Sequence, residues 1–420
     1  MAGDALAAAL RDADRRAEAL VRERRLAEAL AIYERLMAVA PDQAWIAVQL
    51  GRVLLLGDDA ARALAHFEAL TRRFPDAEAA WQGLGKALYD QHRPADAVAA
   101  FTRAAALGRS PALAHYHRGM AHLLAGNFAD GWRDYEARLA VPALRPRMFD
   151  RPRWDGTPLR GRRLLVICEQ GYGDVFQFIR LLPALRGQGG SVLFECPQEL
   201  RELLAPLLAG IEVVPLSGFA PPATPFDCYA HLLSLPHLTG MTLESIPRDL
   251  AYLHAEALAP PPRSPLPGAL RVGVCWAGSP THPQDLHRSM SPELLAPLAR
   301  VRGVSLVALQ KDRTHWPALP GLDSFIAPPP LPLSDFMATA RAIMSMDLVV
   351  SVDTAVAHLA GALGKPVWLL LSRDGEWRWL LARDDSPWYP RMRIFRQQGL
   401  GEWGPVIGTV CAALAARRAP

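Results

Sequence analysis

A glycine-rich turn followed by a single carboxylate is the segment of this chain best suited to proton transfer. The turn comes directly after the apolar run Arg163 to Cys168 and ends at Asp174. Glycine lets a backbone turn sharply and approach a ligand closely. Asp174 is then either the cap of the next helix or a general base that takes a proton from a substrate hydroxyl, and the two roles are compatible. The rest of this predicted cleft loop comprises Glu169, Gln170, Gly171 and Gly173.

A second segment, Asp353 to His358, also follows an apolar run and starts a helical pattern. The first amide N–H groups of a helix and its positive dipole end favour a diphosphate, so Thr354 and Ala355 are predicted donors. Asp353 is either a helix cap or a partner for a sugar or ribose hydroxyl. His358 lies one turn further on, as a packing residue or as a ligand contact.

Two more loops contain predicted contacts to the same ligand. The loop after the run Leu270 to Trp276 ends near Arg288, whose fixed fork of N–H donors suits a phosphate. Alternatively, this segment is a solvated surface loop that binds no ligand. The loop of Gln310 and Lys311, which follows the apolar run Val304 to Leu309, would contact a nucleobase edge or a phosphate. The predicted donor contacts of these two loops are Trp276, Gly278, Arg288, Gln310 and Lys311.

Short apolar runs alternate with helical patterns from Arg163 to Leu371, on both sides of a proline-rich stretch. This alternation predicts two parallel, doubly wound sheets. In such sheets a ligand binds beyond the carboxyl ends of the strands, where the four loops lie. Two aromatic clusters, Glu376 to Trp379 and Ser386 to Pro390, are predicted to pack the last helix against both domains, the alternative being a wall of the sugar site.

The N-terminal third is an internal repeat. Small and aromatic residues recur at a constant offset of 34 residues, the period and pattern of tetratricopeptide repeats (TPR). A helical solenoid of this kind usually holds another polypeptide in a concave groove. The recurring positions are Gly51, Gly85 and Gly119; Ala63, Ala97 and Gly131; and Phe67, Phe101 and Tyr135.

Composition shifts divide the chain, because prolines end the helical pattern near residue 141 and crowd again near residue 260. The predicted segments are a TPR solenoid at 1–140, a linker at 141–161, a first Rossmann-like domain at 162–257, a hinge at 258–268, a second Rossmann-like domain at 269–400 and a C-terminal helix at 401–420.

Bulk composition excludes several classes of protein. The 420 residues have a scattered net charge of +4, which argues against a nucleic-acid partner. The five cysteines show no CxxC spacing and are expected to be reduced thiols. We expect a cytoplasmic protein without a transmembrane segment, since the start lacks a signal-peptide pattern and no long uncharged apolar stretch occurs. The only Asp-x-Asp, at residues 12–14, lies in the first TPR helix, so neither a metal nor a cofactor is expected.

In their order along the chain, the motifs resemble bacterial TPR proteins with a glycosyltransferase domain of the heptosyltransferase type, family 9, and distantly the TPR-containing O-linked N-acetylglucosaminyltransferases. The resemblance implies a GT-B architecture, in which a Rossmann-like domain on the acceptor side (162–257) and one on the nucleotide-sugar donor side (269–400) face each other across a cleft and no metal is required. It matches Asp174 to the family's proposed base, and Arg288 to its cation. The runs that carry it are Arg153 to Gly156, Glu169 to Val175, Val274 to Gly278 and Asp353 to Gly361, with Asp353, Thr354 and His358 as the Asp-Thr-x-x-x-His element.

The prediction is therefore an α + α/β protein, a TPR α-solenoid followed by a GT-B pair of parallel α/β domains, that acts as an inverting, metal-independent glycosyltransferase. It would move a sugar from a nucleotide-sugar to a hydroxyl of a polypeptide captured by the TPR groove, such as a flagellin-like surface protein. The first Rossmann-like domain is short, which favours presentation of the acceptor by the repeats over a lipid core-sugar acceptor. The alternative is a non-catalytic TPR scaffold with a vestigial or nucleotide-sensing GT-B domain.

Overall fold

The computed structural model describes residues 2–57, 59–108, 111–218, 220–255, 268–282, 285–311, 325–374 and 376–417. The predicted hinge at 258–268 lies outside these residues except for Gly268. Two compact units make up the chain, one of Met1–Pro146 with Glu376–Leu381 and one of Arg147–Gly375 with Ala382–Pro420. In the described ranges, no helix has both the length and the apolar character needed to cross a membrane.

The first unit is a series of paired helices, as the 34-residue period predicts. Its small recurring residues let the helices of one pair touch. A Cβ atom added to Gly51 would stand 2.5 Å from the ring of Phe67, and one added to Gly85 would stand 2.5 Å from the ring of Phe101. The helices are α1 (Ala2–Arg22), α2 (Leu26–Val39), α3 (Ala44–Leu56), α4 (Ala60–Arg73), α5 (Glu78–Asp90), α6 (Pro94–Leu107), α7 (Ala112–Leu124) and α8 (Phe128–Tyr135).

The recurring aromatic residue of each pair also contacts the first helix of the next pair. The Phe67 ring lies against Gly83 of α5, where a Cβ atom would overlap it. One period later, the Phe101 ring centroid lies 5.4 Å from that of His117 in α7. This contact carries the packing from one repeat to the next.

In the last pair, a distant part of the chain takes this position. The Tyr135 and Trp132 ring centroids lie 6.1 and 5.2 Å from that of Trp377. Trp377 is 1% exposed and belongs to the segment Glu376–Leu381, which we name the cap segment. The cap segment therefore covers the apolar end of the solenoid. The prediction that its tryptophans pack against the C-terminal helix is wrong for Trp377.

Replacing Trp377 with alanine is expected to destabilise the end of the solenoid by about 3–5 kcal/mol, because the change leaves a cavity against two aromatic rings. Hydrogen exchange of α7 and α8 in the full chain measures this as faster exchange. The control is Trp45→Ala in α3, where the side chain is 37% exposed and the expected change is within about 0.5 kcal/mol. Unchanged exchange in Trp377→Ala would show that the cap segment does not stabilise the repeats.

The second unit begins with a four-stranded parallel sheet of order β3-β2-β1-β4. Arg147 anchors the segment that leads into it through an ion pair with Glu195, a fully buried carboxylate on β2. The elements are β1 (Arg163–Ile167), α9 (Tyr172–Phe178), a 3-10 helix (Ile179–Gln188), β2 (Ser191–Cys196), α10 (Arg201–Leu204), β3 (Glu212–Pro215), β4 (Cys228–His231) and α11 (Leu235–Leu238).

A six-stranded parallel sheet of order β10-β9-β8-β5-β6-β7 follows. Read from β7, this is the Rossmann order, whose direction reverses between β5 and β8. Its elements are β5 (Leu270–Cys275), α12 (Asp285–Arg288), α13 (Ala296–Ala299), β6 (Val304–Ala308), β7 (Ile326–Ala327), α14 (Phe336–Met344), β8 (Leu348–Val352), α15 (Ala355–Ala362), β9 (Val367–Leu371), β10 (Met392–Arg396) and α16 (Trp403–Arg417).

Aromatic side chains join the two sheets. The rings of Tyr172 and Phe176 on α9 lie 4.7 and 5.1 Å from that of Phe336 on α14. The Phe178 ring lies 5.6 Å from that of Trp388, which follows β9. The predicted fold class, helical repeats followed by a pair of parallel α/β sheets, is confirmed.

Candidate functional site

The turn after β1 holds Asp174 at the start of α9. The Gly171 N–H donates to Oδ2 of Asp174 at 2.8 Å, so the carboxylate caps this helix. Gln170 has a φ of +60°, a left-handed conformation that is uncommon for a residue with a side chain. Glu169 accepts the Leu233 N–H at 3.1 Å and so ties the turn to the loop after β4. These bonds fix the half-buried Asp174 at the carboxyl edge of the first sheet.

The start of α9 directly contacts α15 of the second sheet. A Cβ atom added to Gly173 would stand 2.9 Å from Cδ2 of His358, a side chain that is 5% exposed. Glycine is needed here for space. The glycine-rich turn after β1 therefore lies against the first turn of α15, and we call the place where these carboxyl edges of the two sheets meet the crevice.

The start of α15 is suited to an anion. Its first amide N–H groups have no acceptor within the helix and lie at its positive end. Thr354 is 9% exposed and its hydroxyl lies 3.1 Å from that of Ser351. Asp353 Oδ1 lies 3.7 Å from Nε2 of His358. The amides of Thr354 and Ala355 are thus placed where a diphosphate would be favoured.

Arg288 lies beside this helix start. Its Nη1 donates to the Asp353 carbonyl at 3.2 Å, and its Nε donates to Asp285 Oδ1 at 3.2 Å. The guanidinium fills the space above Gly278, where a Cβ atom would overlap it. The loop after β5 and the loop after β8 therefore meet at the point where the strand order reverses, and they place a fixed cation there.

The pKa of His282, a residue that the sequence analysis did not select, responds to the charges around this crevice. Partial desolvation of its ring and the Arg288 guanidinium lower the pKa of His282. The carboxylates of Asp353, Asp285 and Asp174 act in the opposite direction. Charged groups from α9, from α12 and from the loop before α15 therefore act on the same exposed imidazole.

Three residues that were predicted to contact the nucleotide-sugar make other contacts in the structure. Trp276 is fully buried, because the two-residue period of β5 places it on the core face with Val272 and Val274. Gln310 holds the end of β5, where its Oε1 accepts the N–H groups of Trp276 at 3.2 Å and Ala277 at 3.1 Å. Lys311 is exposed; the Ala338 N–H, which Asp335 accepts as the cap of α14, lowers the pKa of Asp335 most, and the charge of Lys311 adds to this.

Three buried residues beside the crevice were not selected as site residues, although one of them, Tyr389, lies in the Ser386 to Pro390 cluster whose alternative role was a wall of the sugar site. Arg180 donates to the hydroxyl of Tyr252 at 2.7 Å and to the Trp388 carbonyl at 2.9 Å. The Tyr389 hydroxyl lies 2.9 Å from Nδ1 of His358. The available signals were an arginine within the apolar helical run after Asp174 and a tyrosine within an aromatic cluster.

Models of known protein families match two parts of the chain. Two tetratricopeptide repeat models match residues 20–87 and 83–146. The model for glycosyltransferase family 9 (heptosyltransferase) matches residues 328–395, which contain α15 and both residues of the Tyr389–His358 contact. Residues 20–146 thus match tetratricopeptide repeat models, and residues 328–395 match the glycosyltransferase family 9 model.

Three individual proteins are also similar to this chain, each at less than 30% sequence identity. Protein FlbA of Caulobacter vibrioides is 28% identical over 433 aligned residues, which cover 93% of this chain and 70% of FlbA. The crystal structure of TTC0263, a thermophilic TPR protein of Thermus thermophilus, is 21% identical, with a TM-score of 0.30 over 32% of this chain and 75% of that chain. MamA from Desulfovibrio magneticus is 17% identical, with a TM-score of 0.28 over 32% and 76%.

Proposed function

We propose that the chain is an inverting glycosyltransferase of the GT-B type, which moves a sugar from a nucleotide-sugar to a hydroxyl of a polypeptide held by its repeats. The observation that carries the proposal is the contact between Gly173 and His358. It brings the carboxylate of Asp174 and the anion-favouring start of α15 to one crevice. A transferase needs a base on one side of the sugar and a leaving-group site on the other.

The diphosphate of the donor would bind at Arg288 and at the amides of Thr354 and Ala355. Arg288 is already held by Asp285 and by the Asp353 carbonyl, both at 3.2 Å. A donor group fixed in advance stabilises developing charge without having to reorganise during the reaction. This arrangement supports departure of the nucleoside diphosphate as an anion.

Asp174 would take the proton from the acceptor hydroxyl, and the Gly171 N–H at 2.8 Å would hold the carboxylate in place. The hydroxyl oxygen attacks the anomeric carbon from the face opposite the diphosphate. A new carbon–oxygen bond forms, the bond to the phosphate oxygen breaks with its electron pair, and the configuration inverts. No step of this proposal uses a metal ion, since Arg288 and the helix amides take the charge of the leaving group.

The repeats would present the acceptor, because TPR solenoids commonly bind polypeptides in their groove. A flagellin-like surface protein, glycosylated in the cytoplasm, is our proposed example. One observation favours a second function, a non-catalytic scaffold that senses a nucleotide. The bond from Gly171 to Asp174 is a sufficient reason for a carboxylate at this position, even without catalysis.

Thermal denaturation with a panel of nucleotides tests the binding part of the proposal. A nucleoside diphosphate at about 100 times its Kd should stabilise the chain by about 2.7 kcal/mol, whereas the matching nucleoside should not. Transfer from the corresponding nucleotide-sugar, at an equal rate with a chelator, then separates the enzyme from the scaffold. Binding without transfer to any acceptor or to water would support the scaffold, and no stabilisation by any nucleotide would contradict both functions.

A further inference from the structure

Arg180 is a buried cation whose hydrogen bonds go mainly to backbone carbonyls. It is the second residue of the 3-10 helix after α9, and it is 8% exposed. Its Nε donates to the Gln177 carbonyl at 2.9 Å, and its Nη1 donates to the carbonyls of Pro247 at 3.2 Å and Trp388 at 2.9 Å. In the described part of the chain, no carboxylate forms an ion pair with this guanidinium. Because a buried charge without a counter-ion costs desolvation free energy, a residue that only filled this space would be apolar.

The carbonyls that Arg180 contacts belong to three different parts of the second unit. Gln177 lies on α9, the helix whose first turn contains Asp174. Pro247 lies after α11, in the segment between the two sheets. Trp388 lies between β9 and β10 of the six-stranded sheet. The guanidinium therefore links the helix of Asp174 directly to the sheet that carries α15.

Tyr252 makes a second link between α9 and the same sheet. Its hydroxyl donates to the Phe176 carbonyl of α9 at 2.6 Å, and its backbone N–H donates to the Ala362 carbonyl at the end of α15 at 3.0 Å. Arg180 Nη2 donates to the Tyr252 hydroxyl at 2.7 Å, and its guanidinium carbon lies 4.2 Å from the centroid of the Tyr252 ring. Two links that share one hydrogen bond thus hold α9 against the six-stranded sheet.

We propose that Arg180 is a positioning residue that fixes the distance between Asp174 and the start of α15. Asp174 lies on α9, whereas the amides of Thr354 and Ala355 belong to the helix that follows β8. A base and a leaving-group site on opposite sides of a sugar must keep their spacing, since a displacement of about 1 Å can cost about 100-fold in rate. The effect on catalysis rests on the proposed function, whereas the link between α9 and the sheet does not.

Two variants separate the geometry of Arg180 from its charge. Arg180→Lys keeps the charge, but lysine has its donors on a single nitrogen and cannot bond all four acceptors of the arginine. Arg180→Met removes the charge as well. In both variants we expect kcat to fall about 10- to 100-fold. The Kd of a nucleoside diphosphate should not change, because the groups proposed to bind it all belong to the six-stranded sheet. Calorimetric titration also counts the binding sites, so turnover is expressed per folded molecule.

Hydrogen exchange of the full chain gives a readout that does not depend on turnover. Arg180→Lys should speed exchange in α9 and leave exchange in α3 of the solenoid unchanged. The control is Arg186→Lys. Arg186 also donates to a backbone carbonyl, that of Leu207 at 2.7 Å, but both residues lie between β1 and β3 of the four-stranded sheet. This variant should keep the turnover and the α9 exchange of the unchanged protein.

Tyr252→Phe provides the test if Arg180→Lys does not fold. It removes the hydroxyl that bonds both Arg180 and the Phe176 carbonyl, and it keeps the ring against the guanidinium. We expect faster exchange in α9 and a fall in kcat that is smaller than in Arg180→Met, again with an unchanged Kd for the nucleoside diphosphate.

Three results would overturn the inference. Full turnover per folded molecule in Arg180→Lys would show that Arg180 contributes no more than its charge. A Kd for the nucleoside diphosphate that rises as kcat falls would place Arg180 in the donor site. Unchanged exchange of α9 in Arg180→Lys and in Tyr252→Phe would show that these bonds do not hold the helix. Should no form of the protein transfer a sugar, the proposed function fails, while hydrogen exchange still decides whether Arg180 holds α9.

Discussion

Asp174→Asn is expected to lower kcat by about 10²- to 10⁴-fold and to leave the affinity for the donor nearly unchanged. Asparagine has the size of aspartate, and its carbonyl oxygen can still accept the Gly171 N–H that the carboxylate accepts at 2.8 Å. The cap is therefore kept and only the ability to take a proton is lost. Turnover of the nucleotide-sugar measures the first quantity, and calorimetric titration with the nucleoside diphosphate measures the second.

The matched control is Asp227→Asn. Asp227 also accepts a backbone N–H, that of Arg163 at 2.7 Å, but it does so at the amino ends of β1 and β4. This variant should keep full turnover. If Asp174→Asn turned over at the normal rate, Asp174 would be only a helix cap and the assignment of the base would be wrong.

Arg288→Gln is expected to reduce kcat/KM by about 10²- to 10³-fold, because it removes a preorganised contact to the leaving diphosphate worth about 3–4 kcal/mol. Affinity for the nucleoside diphosphate should fall as well, since Arg288 would also contact the ground state. The affinity for the nucleoside alone should not change. Steady-state kinetics and titrations with both ligands separate these effects.

Arg93→Gln provides the control for Arg288→Gln. Arg93 pairs with a carboxylate three residues along the chain, Asp96, with the same spacing as Arg288 and Asp285, but it lies in the solenoid. Its loss should leave kinetics and nucleotide affinity unchanged. Equal affinity for the diphosphate in Arg288→Gln and the unchanged protein would place the diphosphate elsewhere.

Elements with a repeated or strongly apolar pattern were predicted from the sequence. The solenoid was predicted from its 34-residue period, because each repeat makes the same contacts. Strands such as β8 and β9 were predicted because they are buried apolar runs. By contrast, β4 (Cys228–His231) contains no β-branched residue, β7 (Ile326–Ala327) has two residues, and in β10 (Met392–Arg396) arginine interrupts the apolar pattern. Where the local preference for a strand is this weak, tertiary packing decides whether the strand forms.

The site was predicted where local motifs position it and missed where distant residues do. Gly173 and Asp174 could be placed because a strand, a turn and a helix start are consecutive in sequence. Arg180 reaches the Trp388 carbonyl, and Trp377 reaches Trp132, through pairings that local patterns do not reveal. Trp276 was assigned to the ligand because it belongs to the loop after β5, although the two-residue period of the strand places its side chain in the core.

A crystal structure of the full chain with a bound nucleoside diphosphate tests the central claim most directly. The account predicts diphosphate oxygens about 3 Å from the Ala355 amide and the Arg288 guanidinium, with the Asp174 carboxylate facing the terminal phosphate across the crevice. A diphosphate bound away from the start of α15, or one separated from Asp174 by packed protein, would contradict it.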